Sequence, residues 1–357
     1  MRRTQRQPRV RRVADGFGRS GIGRGRPAAG GGSRTQRPGR EHRRAGVVTA
    51  PRKVLLPSPR SFCAGVERAI DIVEALLTRY GPPVYVRNQI VHNAFMVRDL
   101  EARGAIFVSE LDEVPADARI VFSAHGVAPA VEREAERRGL DAIDATCPLV
   151  TKVHNEARRA ANAEDTVVLI GHEGHEEVVG TMGVAPERTV LVERAADVAT
   201  LVVRDPDRLT YLSQTTLAVA EVEEIIAALR RRFPKIKGPG SDDVCYATTN
   251  RQAAVAAVLE ESDLVLVIGS VNSSNSNRLM EMARDAGTES HLIDYASEIE
   301  PEWLRDKGTI AVTAGASAPP VLVDEVVTAI ASYGPIEVEE RSVAEEHLEF
   351  LLPVRLR

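Results

Sequence analysis

Three cysteines, Cys63, Cys147 and Cys245, are the residues of this 357-residue chain whose type and placement most suggest chemistry. Each stands just before an amphipathic stretch. After Cys63, the residues Val66, Ile70, Val73 and Leu77 recur at the spacing of one helix face. Cys147 is followed by Pro148, a residue favoured at a first helical position, and then by Val150, Val153 and Ala157. Beyond Cys245, Val255, Val258 and Leu259 form the apolar stripe. The spacing predicts three thiols at three helix starts, 84 and 98 residues apart, each interval about one small α/β unit. A helix N-terminus supplies unpaired N–H groups and the positive end of a dipole, which favour thiolate, the form that ligates metal. Three similar units packed about a common centre would bring the sulfurs together.

A single buried cysteine is more often a small hydrophobe than a ligand, but three at equivalent corners weaken that explanation. An odd number of thiols at wide spacing makes a poor disulfide framework and suits a reducing compartment. Thiolates select zinc or iron–sulfur centres, and three protein ligands leave one position for a substrate. Zinc would act as a Lewis acid alone, whereas a four-iron cluster would also carry electrons.

The polar turns describe what that substrate carries. GSVNSSNSNRL, Gly269 to Leu279, ends one strand and opens a helix with hydroxyls, amides and backbone donors, which suits a phosphate. TAGASAPP, around Ser317, repeats the pattern. His92, His125 and His175 add donors that can carry charge, so the set points to an anionic site. GHEGHEE offers Glu173, Glu176 and Glu177 as proton donors, and YLSQTTLA offers Gln214, Thr215 and Thr216 to orient a hydroxyl. Local pattern alone does not choose among them.

These residues need elements to hold them. From Lys53 onward, the β-branched runs KVLLP, RIVFSAH, TVVLIGH, LTYLSQ, DLVLVIGS and TIAVTAG alternate with amphipathic stretches, the signature of parallel sheets covered by helices. The class is α/β, read as three related domains in a trefoil-like arrangement, residues 51–146, 147–244 and 245–335, followed by a C-terminal tail, 336–357. With 43% hydrophobic and 27% charged residues the chain can bury substantial cores. No apolar run approaches the roughly 20 residues of a membrane span, and no secretory h-region opens the chain, so the expected location is cytoplasmic. Residues 1–50 hold 14 of the 46 basic groups and 2 of the 51 acidic ones, a net charge of +12 against −17 for the remainder. That segment is rich in Arg and Gly without apolar periodicity, and reads as a disordered extension. It suits a nucleic-acid arm, a transit-like leader, or a translation start set too far upstream; the acidic remainder makes nucleic-acid binding the weakest reading.

In order along roughly residues 53–335, the stretches PRSFCAGVERAI, VHNAF, FSAHGV, DATCPLVTKVH, GHEGHEEVVGTMG, SQTTL, DDVCYATTNRQ, NSSNSNRL and VTAGASAPP resemble the 4-hydroxy-3-methylbut-2-enyl diphosphate reductase family of the non-mevalonate isoprenoid pathway. The resemblance implies three α/β domains around one four-iron four-sulfur cluster per chain, held by Cys63, Cys147 and Cys245. It implies that His92, His125, His175, Ser273, Ser274, Asn275 and Ser317 bind the substrate diphosphate. Glu177 would belong to the proton path, and Thr215 would hydrogen-bond the substrate hydroxyl at the unique iron. The implied reaction is reductive dehydroxylation to isopentenyl and dimethylallyl diphosphates, with electrons from a ferredoxin or flavodoxin type of carrier. That family usually has proline where Glu176 stands, so a second carboxylate here adjoins Glu177 and could share or perturb its proton. The residues read without the resemblance leave a zinc-thiolate hydrolase or lyase, acting on a phosphorylated small molecule with Glu177 as base, as the alternative.

Overall fold

The strand-and-helix alternation resolves, in a computed structural model that describes residues 51–357, into twelve strands paired in parallel. The expectations for residues 1–50 lie outside the described residues. In chain order the strands are β1 (Arg52–Ser58), β2 (Val84–Arg87), β3 (Ala105–Val108), β4 (Arg119–Phe122), β5 (Asp141–Asp144) and β6 (Thr166–Ile170), then β7 (Thr189–Val192), β8 (Leu209–Ser213), β9 (Leu264–Ile268), β10 (Glu289–Ile293), β11 (Thr309–Ala314) and β12 (Ile336–Ser342). They form three sheets, ordered β3-β2-β4-β5, β7-β6-β8 and β10-β9-β11-β1-β12. The connecting helices are α1 (Ala64–Tyr80), α2 (Ala94–Ala102), α3 (Pro129–Arg137), α4 (Pro148–Asn162) and α5 (Glu176–Val184), then α6 (Val219–Arg232), α7 (Tyr246–Ala256), α8 (Ser274–Asp285) and α9 (Pro320–Ser332). Among the described residues no helix is long and apolar enough to cross a membrane.

All six apolar runs quoted above are strands, and they read clearly because helices cover both faces. In β9, Leu264, Leu266 and Ile268 join the core on one side, while Val265 and Val267 join the core on the other. The same division separates Val168 and Ile170 from Val167 and Leu169 in β6. The other six strands are short or lie at sheet margins, and their weaker apolar pattern left them unannounced.

The sheets cut the chain differently from the expected spans. β1, which opens the first span, pairs with β11 and β12 of the last sheet. β12, placed in the expected tail, pairs with β1 over seven residues from Arg52↔Ile336 to Ser58↔Ser342. Such pairing joins the two ends of the described chain, and no local pattern encodes it. The segment after β12 crosses to the first sheet, where Leu352 and Leu356 pack on its core and Arg355 pairs with Asp141 at 2.8 Å. All three sheets belong to one compact unit of the described residues.

Loops following the carboxyl ends of the strands carry the chemically interesting side chains, as expected of parallel α/β sheets, except Cys245, which lies in the connection between α6 and α7. One loop is held by an uncommon residue. Arg251 of α7 is fully buried, donates to the carbonyls of Ser61, Phe62 and Ala247, and pairs with Glu346 at 3.0 Å. It thereby ties the segment before Cys63 to both α7 and the C-terminal segment.

Candidate active site

The three cysteines occupy equivalent positions. Cys63, Cys147 and Cys245 are the N-caps of α1, α4 and α7. Each backbone N–H donates to a carbonyl two residues past a strand end: Cys63 to Ala316 after β11 at 3.2 Å, Cys147 to Ala124 after β4 at 3.0 Å, and Cys245 to Thr215 after β8 at 3.0 Å. Each cysteine's own carbonyl then accepts the first helical bond, from the N–H of Glu67, Thr151 and Thr249 respectively. This recurring fold-back aims all three thiols into one cavity, whose wall also includes Gly65, Thr248 and Ala316. A Cβ built on Gly65 would lie 2.6 Å from Cys147 Sγ and 3.9 Å from Cys63 Sγ. Glycine there leaves room between the sulfurs.

Burial pushes the Cys147 thiol up to about 12 and the Cys245 thiol up to about 11, each raised further by Cys63. Cys63 is raised by burial too, while Arg251 pulls it down. Without a cation the three are therefore protonated, and a metal binding there would displace protons. Among the described residues, the three potential ligand atoms that come within 4.8 Å of one another belong to His92, His125 and Glu176, so the sulfurs are spread more widely than that. Tetrahedral zinc, with Zn–S of about 2.3 Å, needs its sulfurs about 3.8 Å apart. The wider spread and the soft donor set fit a polynuclear iron–sulfur centre better than one zinc ion.

The same cavity is lined by an acid. Glu177 is 2% exposed, and its carboxylate accepts from Thr215 N at 2.7 Å and Thr215 Oγ1 at 2.9 Å. Burial raises its pKa to about 7 even though both Thr215 bonds oppose the shift. The rest of the lining mixes apolar side chains, Val66, Val91, Leu149 and Val150 among them, with histidines, hydroxyls and amides. His92 and His125 stack at 3.9 Å between ring centroids, and His175 meets both edge-on at 5.5 and 5.9 Å. Burial, then the neighbouring rings, hold His92 down to about 2; burial and His125 hold His175 down to about 4.

Hydroxyls and amides complete the wall. Ser273 caps α8, accepting from Ser276 N at 3.3 Å, and Ser274 Oγ donates to Thr216 O at 3.3 Å. Ser317 Oγ donates to His92 O at 2.9 Å, and Asn275 Oδ1 accepts from Ala316 N at 2.8 Å. Asn275 thus braces the same loop that receives the Cys63 N–H.

The structure gathers most of the candidates named from the sequence into this one cavity, the three cysteines, His92, His125, His175, Glu177, Thr215, Thr216, Ser273, Ser274, Asn275 and Ser317, while Gln214, Glu173 and Glu176 lie outside its lining. It also separates the carboxylates left open above. Glu177 lines the cavity, Glu173 is exposed, and Glu176 turns to His125 Nδ1 at 3.2 Å. Glu176 and Glu177 therefore face different partners, and the adjacency does not make them a shared pair. Sequence reasoning missed Thr248, whose N–H and hydroxyl lie 3.4 and 3.2 Å from Cys245 Sγ. Its place three residues after an N-cap was the available signal.

The family described as LytB protein matches residues 54–331. This chain belongs to the LytB family. LytB-family relatives are similar over most of their length. A Leifsonia xyli protein named 4-hydroxy-3-methylbut-2-enyl diphosphate reductase is 57% identical over 311 residues, covering 87% of this chain and 92% of its own. A Mycobacterium tuberculosis protein named 4-hydroxy-3-methylbut-2-enyl diphosphate reductase 1 is 56% identical over 316 residues, covering 87% and 96%. Among solved structures, the E-1-hydroxy-2-methyl-but-2-enyl-4-diphosphate reductase from Plasmodium falciparum has a TM-score of 0.83 and 35% identity, covering 86% of this chain and 97% of its own. The fold of this LytB-family chain is thus that of a solved reductase.

Proposed function

We propose that this LytB-family chain is a 4-hydroxy-3-methylbut-2-enyl diphosphate reductase that removes the allylic hydroxyl of its substrate as water. The observation that carries the reading is one cavity lined together by three N-cap thiols, a buried protonatable glutamate, three histidines and the hydroxyls and amide of Thr215, Ser273, Ser274, Asn275 and Ser317. Cys63, Cys147 and Cys245 would hold a four-iron four-sulfur cluster, which when bound supplies electrons and Lewis acidity towards the substrate oxygen. The diphosphate end is assigned to His92, His125, His175, Ser273, Ser274, Asn275 and Ser317. Burial holds His92 and His175 in the neutral form, so anion binding is coupled to proton uptake or to rearranged hydroxyl donors.

Glu177 supplies the acid. With a pKa raised to about 7 it still carries its proton in about half the molecules at neutral pH, and Thr215 Oγ1, 2.9 Å from its carboxylate, can pass that proton to a hydroxyl in the cavity. Anchoring the diphosphate fixes the hydroxyl end of a short substrate, so much of the rate enhancement is positioning. The electron donor is a ferredoxin- or flavodoxin-type carrier, and the free thiols fit a cytoplasmic enzyme.

Anaerobic protein with a chemical reductant is expected to convert the hydroxylated diphosphate to isopentenyl and dimethylallyl diphosphates; brown, iron- and sulfide-bearing protein without turnover would contradict the reading. Gly65→Ala tests the cavity directly. Its Cβ would intrude 2.6 Å from Cys147 Sγ, so bound iron per chain should fall sharply while the folded circular dichroism spectrum persists. Full iron content in that variant would show that the gap beside Gly65 is not needed.

A further inference from the structure

Glu176 has no part in the proton path described above, yet it is only partly exposed and is not idle. Its Oε2 lies 3.2 Å from His125 Nδ1 and accepts from Ser123 Oγ at 3.2 Å, with Ser123 Oγ 3.3 Å from the same ring nitrogen. The trio closes behind the His125 ring. His125 lines the cavity and Glu176 does not, so the ring stands between the carboxylate and the space where an anion would sit. Among the described residues Nδ1 makes all the hydrogen bonds of that ring, and Nε2 is left for the cavity.

His92, His125 and Glu176 also satisfy a distance test for a metal site, with ligand atoms within 4.8 Å. Ring geometry argues against that use. His92 and His125 stack 3.9 Å apart with planes 18° from parallel, and lone pairs lying in two nearly parallel planes do not converge on one ion.

We infer that Glu176 is a positioning residue that holds His125, through its Nδ1, as an Nε2–H donor to the substrate diphosphate. A neutral imidazole has one N–H. If the carboxylate takes it at Nδ1, Nε2 can donate to an anion only by binding a second proton, and the carboxylate behind the ring stabilises the cation so formed. The other titratable groups around the ring are His92, His175 and, within electrostatic reach, Glu177. None of these rings brings a fixed negative charge to Nδ1; Glu176 does. The inference rests on reading this cavity as a diphosphate site.

The test uses anaerobically purified holoenzyme and inorganic diphosphate as the probe, titrated by calorimetry, together with steady-state kinetics. Glu176 is the first residue of α5, where proline is well tolerated, and its backbone N–H makes no hydrogen bond among the described residues. Glu176→Pro and Glu176→Ala should therefore fold while losing the carboxylate. Both are expected to weaken diphosphate binding about tenfold, roughly 1.4 kcal/mol, and to raise KM by a similar factor, with kcat changed less than about threefold. Glu176→Gln keeps an acceptor without the charge and should fall between these and the wild type. Unchanged diphosphate affinity and KM in Glu176→Ala would overturn the inference. So would a loss of kcat at unchanged affinity, which would put Glu176 on the proton path instead. A wild-type holoenzyme that does not bind diphosphate would remove the reading of the site as well, so the two failures are told apart.

Discussion

Anaerobically purified Cys147→Ser is expected to lose its bound iron and sulfide together with turnover, by more than the roughly 10–100-fold that removal of an outer partner costs a metal site. Serine matches cysteine closely in shape, and the carbonyl at position 147 would still accept the first bond of α4, so the fold should survive. What changes is the donor. A soft, polarizable thiolate is replaced by a hard hydroxyl that does not ionise near neutrality, and one of three anchors disappears. Backbone N–H groups of Leu149 and Val150 favour the thiolate at this corner, and a neutral hydroxyl leaves that stabilisation unused. Iron and acid-labile sulfide assays check the cluster independently of activity. Because the three cysteines are equivalent N-caps, Cys63→Ser and Cys245→Ser should behave alike.

Glu177→Gln should keep its iron and colour yet lose about 10²–10⁴-fold in kcat, the span that general acid catalysis supplies. Glutamine preserves the shape and can still accept from Thr215, but it has no proton to give. The wild type carries a signature that the variant lacks. The acid form is the active one, and its pKa is raised to about 7, so kcat should fall as pH rises through 7 and the variant's residual rate should not follow that titration. Stability has the same sign. The unfolded glutamate ionises near 4.5, while the folded one holds its proton to about 7. This group's contribution is complete below pH 4.5 and is lost as pH rises through 7. Thermal unfolding from pH 4.5 to 8 should therefore favour Glu177→Gln over the wild type increasingly towards the alkaline end.

Much of the site was legible in the sequence for a physical reason. A helix start combines a change of periodicity with capping chemistry, and Pro148 directly after Cys147 marked the position without any tertiary information. The repetition of that corner announced three thiols with one geometry, and each is docked through its backbone N–H onto a loop that follows a strand of a parallel sheet. Other features depend on contacts between segments far apart in sequence. β1 reads as the opening of the first unit, yet its partners are β11 and β12. Nothing local in TTNRQ marks Arg251 for burial; the carbonyls of Ser61 and Phe62 and the carboxylate of Glu346 make its complete burial possible. Glu176 and Glu177 looked like a coupled pair because they are adjacent. On a helix, neighbouring side chains diverge by about 100°, and here one faces His125 and the other Thr215.

The central claim is that three distant sulfurs hold one iron-bearing centre facing a buried acid. Diffraction from anaerobically grown crystals, with anomalous data collected across the iron absorption edge, tests it most directly. The account predicts iron density bounded by the Sγ atoms of Cys63, Cys147 and Cys245, on the side of the cavity facing Glu177 and Thr215. A single zinc ion on those sulfurs, or iron held elsewhere with the three thiols unligated, would contradict it.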